Sequence, residues 1–293
     1  RWCAASCSDR LAGAGAVTFD LDDCTVSGPA LSAGFLRSGP WVHAVPAGLG
    51  EAWDRVRGPL RRLAPGAPAR AVRDRLILPL GEALGYGPSR PDTVVRTREG
   101  MEDGGLVLPA AQAALRAWPT ESLGQGGATG GGRGAAFRQS PPRVAARVLR
   151  AMRERAGLIA DAAELELLVC DPALPDSRLR IRLAAWRAAE TPPDSFRLLL
   201  GLASPAGLAD LPEMIEAGRL HQVGITRALR RQAREGLEGF IQAVLDHPGN
   251  AALTDRGADA LWQDGLVLIY RLLFVLKLET ATDPGFSFAA TAL

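Results

Sequence analysis

The sequence predicts an α+β protein: a small mixed α/β unit followed by a helical region. Three patterns carry that reading. Apolar residues recur at helical spacing between Glu51 and Gly87, three short strand-like runs, the last two alternating, follow between Ala156 and Trp186, and helical patterning takes over from Phe196.

Taken in order, residues 1–48 show no sustained period and are assigned to no element. EAWDRVRGPLRRL puts Trp53, Val56, Leu60 and Leu63 on one helical side with arginines opposite, and Pro65 to Pro68 end it. ARAVRDRLILPLGEALGYG predicts a second helix stopped by Gly85 and Gly87. A β-branched run at 93–95 and the apolar LVL at 106–108 read as a hairpin across a Gly-rich turn. GQGGATGGGRG, 124–134, reads as a flexible glycine linker. PPRVAARVLRAMRER begins at a proline pair and spaces Arg143, Arg147 and Arg150 onto one helical face. AGLIAD, ELELLVCD and RLRIRLAAW predict three strands, the last two each with one wet face, and 176–186 closes a small sheet.

SFRLLLGLA, LADLPEMIEAGRL, ITRALRRQAREGLEGFIQAVLDH and LWQDGLVLIYRLLFVLKLE then predict four helices. The third sets Leu229, Leu237, Phe240, Ile241 and Val244 against Arg227, Arg230, Arg231 and Arg234. The division expected is 1–48 unassigned, 49–204 an α/β unit enclosing the linker, and 205–293 a helical connector.

The last of those helices is apolar on almost every side yet carries Arg271 and Lys277. Its uninterrupted apolar runs, GLVLIY and LLFVL, fall well short of the roughly 20 residues a bilayer core requires. A central arginine would add about 2.5–3.5 kcal/mol to insertion. The expectation is a buried helix of a larger protein, with no membrane partner. The first residue is Arg, and FSFAATAL ends without a capping signal, so the chain reads as a piece of a longer polypeptide.

Composition narrows the chemistry. A hydrophobic share of 47% with 23% charged residues excludes wholesale disorder. Of 34 basic residues only Lys277 is lysine, so lysine chemistry would have to use that residue. Cys3, Cys7, Cys24 and Cys170 are too few and scattered for a disulfide scaffold. No His or Cys pair follows Cys3 and Cys7 at zinc-ligand spacing. With no secretory segment, a cytoplasmic setting is expected.

Several motifs approach known chemistry and stop short. AVTFDLDDCTV resembles the nucleophile strand of haloacid dehalogenase-type phosphatases, with Asp20 and Asp22 two apart, but Cys24 stands where threonine belongs. The glycine run lacks the lysine of a phosphate loop and a preceding apolar strand. A restriction-type nuclease needs an acid, then a strand bearing Asp or Glu, one residue and Lys, to hold Mg²⁺ and poise water. Asp92, Glu99, Glu102 and Asp103 supply acids near a hairpin, the lysine is missing, and arginine cannot serve as the base. The expectation is a degenerate nuclease-like shape without working chemistry. His221 and His247 stand alone near helix ends and read as surface or capping residues.

RDRLILPLGEALGYG, RERAGLIADAAELELLVCD, TRALRRQAREGLEGFIQAVLD and LWQDGLVLIYRLLFVLKLE follow one another in an order that resembles the N-terminal half of large restriction-modification enzymes. These are the type IIG group and the related BREX-type adenine DNA methyltransferases. Tyr270, Arg271, Phe274 and Glu279 match the family's connector helix, and the likeness spans roughly 51–293. The resemblance implies an N-terminal, non-catalytic portion without a cofactor of its own, whose parent methylates adenine in duplex DNA with S-adenosylmethionine. Its partners would be double-stranded DNA and a downstream methyltransferase domain of the same chain. The sequence departs from the family's catalytic patterns: it has no cofactor glycine motif and no N-P-P-[YF] or D-P-P-Y tetrapeptide, and CDPA and QSPP lack the aromatic. Candidate phosphate contacts are Arg143, Arg147, Arg150, Arg227, Arg230, Arg231 and Arg234. A phosphatase using Asp20 and Asp22, and a purely structural interaction module, are the alternatives.

Overall fold

The computed structural model describes residues 18–91, 94–111, 113–123, 140–250 and 255–280. It is an α+β protein with a mixed, mostly antiparallel sheet and a long helix. The chain divides into two compact units, Arg1–Gln222 and Val223–Leu293.

In the first unit the elements are β1 (Cys24–Ser27), α1 (Ala33–Arg37), α2 (Leu49–Arg61), α3 (Ala69–Val72) and α4 (Leu78–Ala83). Then come β2 (Arg90–Pro91), β3 (Val95–Thr97), β4 (Gly100–Glu102), β5 (Leu106–Pro109), β6 (Ala114–Pro119) and α5 (Pro141–Met152). β7 (Ala156–Ala160), β8 (Glu164–Val169), β9 (Ser177–Arg182), α6 (Leu183–Ala188) and α7 (Asp194–Ala203) follow, and α8 (Pro205–Asp246) begins here. Seven strands form one sheet in the order β1-β9-β8-β7-β6-β5-β2, while β3 and β4 form a separate ribbon. Only β6 and β7 run parallel, and α5 lies between them in the chain. A parallel pair needs such a crossover because a tight turn can only reverse direction.

The centre of the sheet, β6 to β8, is buried on both faces. On one, Leu115, Leu158, Leu167 and Ile181 meet Trp53 and Leu60 of α2, Leu80 of α4 and Leu199 of α7. Trp53, Trp186 and Phe196 pack edge to face there, with ring centroids 5.0–6.0 Å apart. On the other, Trp118, Ile159 and Leu168 meet Ala145, Val148 and Leu149 of α5, with Val95 and Leu123 at the margin. The amphipathic reading of Trp53, Val56, Leu60 and Leu63 holds, since all four are buried. The second predicted helix is α3 and α4 joined by a π turn, Arg73–Ile77. Pro79 cannot donate to the preceding turn, and the backbone widens just before it.

Several expectations need correction. The hairpin does not join 93–95 to 106–108: Val95 pairs with Glu102, and Leu106 pairs with Ala117. The partner strand β6, ALRAWP, went unread because four consecutive buried residues hide its alternation. β8 has no wet face, since Glu166 is 0% exposed. Residues 176–186 do not close the sheet. β9 ends at Arg182, α6 follows, and β1 from the unassigned N-terminal stretch pairs beyond it, Val26 opposite Leu179. The two helices predicted between Leu208 and His247 are one, α8, which runs through Pro212 and across the boundary between the units. Ser204 starts it: its Oγ accepts from the Gly207 amide at 3.1 Å, the usual N-cap geometry. The glycine linker 124–134 lies outside the described residues.

The second unit holds the later part of α8 and α9 (Asp255–Thr280). Leu237 and Ile241 are buried, and Leu237 lies against Gly265. Leu229 and Leu272 border the same groove, so the two helices run antiparallel. No single described helix is long and apolar enough to cross a membrane.

Gly157 sets the distance between α5 and the sheet. A Cβ there would lie 2.9 Å from Trp118 and 3.1 Å from Leu149. Gly157→Ala should therefore lower the unfolding free energy by about 1–3 kcal/mol, the usual cost of overpacking, as read by urea denaturation.

Candidate nucleic-acid interface

The seven arginines chosen from sequence fall into two sets on different units. On α5, Arg147 is 17% exposed and holds Glu99 at 2.9 Å and Glu102 at 2.5 Å. Arg150 pairs with Asp176 at 2.7 Å. Arg143 is exposed with no side-chain partner among the described residues. On α8, Arg231 lies 3.7 Å from Glu235 and Arg234 lies 2.8 Å from Glu238, both at the (i, i+4) spacing of one helix face. Arg227 and Arg230 are exposed and unpaired among the described residues. Exposed pairs such as Arg231 with Glu235 are worth about 0–1 kcal/mol and give way to a stronger anion, whereas Arg147 is committed to its two carboxylates.

Those carboxylates belong to the acidic segment singled out for nuclease chemistry. Asp92 lies outside the described residues. Asp103 stays exposed: its side chain accepts from the Gly105 amide at 3.0 Å, while its backbone carbonyl accepts from the Trp118 indole at 3.0 Å. The neighbouring Gly104 carbonyl accepts from Arg116 at 2.9 Å. Arg116, 3% exposed, also pairs with Glu154 at 2.6 Å. The acidic segment thus folds over β6, whose covered face carries Arg116 and, two residues on, Trp118. A metal-dependent nuclease strand needs an acid and a lysine at that i, i+2 spacing. Sequence reasoning missed both residues, because the strand itself went unread. No group of three or more His, Cys, Asp or Glu side chains placed to hold a metal ion occurs among the described residues.

The aspartates of the phosphatase alternative precede β1 and do not end a central parallel strand. β1 is an edge strand, antiparallel to β9, which corrects the topology that reading requires. Asp20 Oδ1 accepts from the Asp22 amide at 3.1 Å, and Asp22 pairs with Arg37 at 3.0 Å. Asp23 accepts from Ser195 Oγ at 2.5 Å, and Ser195 in turn accepts from the Trp186 indole at 2.8 Å. This is a chain of hydrogen bonds that ties the N-terminal segment to α6 and α7.

The remaining reactive types have structural roles. Burial first, then the charge of Asp176, pushes the Cys170 thiol up to about 12, and burial likewise raises Cys24. Cys3 and Cys7 lie outside the described residues. His221 packs on Phe35 at 5.5 Å, and His247 Nδ1 accepts from the Gly249 amide at 3.2 Å.

On the second unit, α9 presents Leu266, Val267, Leu268, Leu272, Phe274 and Val275 at 47–54% exposure, and Tyr270 at 72%. Between α8 and α9 lies an open apolar groove of about 470 Å³, lined by Leu229, Leu237, Phe240, Gly265, Ile269 and Leu272 among others.

Comparison with protein-family models, with curated proteins and with solved structures gives no match to this chain.

Arg147 is the anchor of the β3–β4 ribbon. Charge-assisted hydrogen bonds of this kind contribute about 1.5–3 kcal/mol. Arg147→Ala should accelerate amide hydrogen exchange across residues 95–102 by roughly 10- to 100-fold, with β7 and β8 unchanged. Uniform acceleration throughout the sheet would instead mean global destabilisation.

Proposed function

We propose that this chain is the N-terminal, non-catalytic portion of a bacterial DNA restriction-modification protein of the adenine-specific DNA methyltransferase class. On this reading the first unit is a degenerate restriction-nuclease-like α/β unit, and the second is a helical connector. S-adenosylmethionine belongs to the downstream methyltransferase domain of the parent chain, which also supplies the cover for α9. The setting is the cytoplasm, and the partner is double-stranded DNA.

One observation carries the reading most. The acidic segment is tied by its backbone to a sheet strand, as the Gly104 and Asp103 carbonyls accept from Arg116 and Trp118, and that strand offers neither a lysine nor an acid beneath it. Arginine stays protonated and indole has no basic lone pair, so neither can replace a lysine or a metal-binding carboxylate. The expected chemistry of the unit is therefore binding alone, with no Mg²⁺-dependent cleavage of DNA.

Binding would be electrostatic. Each arginine placed on a phosphate releases condensed counterions and adds about 0.9 to the slope of log affinity against log salt. Arg227 and Arg230 are free for this, and Arg231 and Arg234 exchange weak internal pairs for phosphate. Charge reversal at Arg227→Glu with Arg231→Glu should weaken binding across all duplex sequences and flatten the salt slope by about 2. Fluorescence anisotropy with labelled duplexes over a KCl series reads both quantities. An unchanged slope would remove α8 from the interface.

A second reading, a purely structural interaction module, draws support from the bare apolar helix α9 and from the pairing of Arg147 and Arg150 inside the unit. It predicts no duplex binding at any salt concentration.

A further inference from the structure

The β3–β4 ribbon is no part of the seven-stranded sheet. It is a two-stranded sheet of its own, and such ribbons are marginal unless something holds them. Its register pairs Val95 with Glu102 and Arg96 with Met101. Alternation therefore gives it two unlike sides. The inner side carries Val95, buried in the α5 cluster, and Glu102, held by Arg147. Glu99 in the turn reaches the same guanidinium.

The outer side is bare. Arg96 on this side and Arg98 in the turn beyond it are exposed and have no side-chain partner among the described residues. Beside them Met101 is 66% exposed and Val94 49%. No other large apolar residue of the first unit is as exposed as Met101 among the described residues. Because both glutamates of the ribbon point to Arg147, the outer side presents positive charge and a soft apolar knob together. That combination suits a polyanion whose phosphate rims flank a groove floored by base edges, where the thymine methyl group offers an apolar contact.

We propose that the β3–β4 ribbon is a DNA-reading arm that enters the major groove of duplex DNA, with Arg96 and Arg98 on the phosphates along its rim and Met101 against base edges. Two strands about 4.8 Å apart, widened by their side chains, match a groove about 12 Å wide. Arg147, taken from sequence as a phosphate contact, becomes the positioning residue that aims the arm. The inference rests on the reading that this chain binds duplex DNA, and it adds the element of the first unit that makes contact.

The full chain is titrated against a fluorescein-labelled duplex at a series of KCl concentrations. Arg96→Ala with Arg98→Ala should raise Kd at least tenfold and reduce the salt slope by about 1.8, two contacts at about 0.9 each. Met101→Ala should weaken binding several-fold and leave the slope unchanged, since it removes apolar contact and no charge. Duplex preloaded with distamycin, which fills the minor groove, should bind as well as free duplex. Wild-type chain that binds no duplex overturns the DNA reading and this inference with it. Binding that is lost on Arg227→Glu with Arg231→Glu but untouched by the ribbon variants overturns the ribbon alone. Blockage by distamycin overturns the major-groove placement.

Discussion

Burial of the β7–β8 centre on both faces is the constraint from which the rest of the first unit follows. Leu158, Leu165 and Leu167 look one way and Ile159 and Leu168 the other, and all are fully buried. A sheet of that kind cannot stand with one face in water, so it requires a helical layer on each side. α2, α4, α6 and α7 supply one layer and α5 the other. The glycine at 157 allows α5 to approach closely, and Trp118 fills the space beside it. Ser204 at the start of α8 donates to the Ala44 carbonyl at 3.1 Å and Ser195 of α7 donates to Asp23 at 2.5 Å, and these two bonds lock the helical layer to the segment before α2.

Two charges inside this sandwich are bound by the same logic. Glu166 is 0% exposed, and Arg180 donates to it at 2.5 and 2.7 Å. Burial pulls the Arg180 pKa down, but the hydrogen bond and charge of Glu166, with Glu164 and Asp161 nearby, more than offset it, and the net shift is upward. Arg116 and Glu154 form a second such pair beneath the ribbon. Buried pairs add little net stability, because desolvation offsets the attraction, but removing one partner strands the other. Their main effect is to fix register: Glu166 and Arg180 lie directly opposite each other on β8 and β9.

The second unit obeys a different balance. Its two helices share one seam at Leu237, Ile241 and Gly265, and α9 from Leu266 to Val275 is apolar apart from Arg271 and largely without cover among the described residues. A helix hydrophobic all round belongs in the interior of something larger. The burial expected of this helix from sequence is therefore not supplied to Leu266–Val275 by the described residues, and the proposed connector role gives that surface a purpose.

Local pattern made much of this legible before any coordinates. Helices α2 and α5 and strands β8 and β9 follow from a period of 3.6 or 2 in their own residues, β7, α7 and α9 from apolar runs of suitable length, and the α+β class from their order. What sequence could not show was anything set by a partner distant in the chain. β6 is buried on both faces and so loses its alternation. β1 is four residues long and has meaning only against β9. The wet face expected of β8 vanished because Arg180, from another strand, neutralises Glu166. The candidate site shows the same division: spacing alone put Arg143, Arg147 and Arg150 on one face of α5, and only tertiary structure decided that Arg147 would spend its charge on Glu99 and Glu102. Sequence determines which faces a segment has, because that is a matter of its own repeat. Folding decides what each face meets, because a side chain 45 residues away is invisible to any local period.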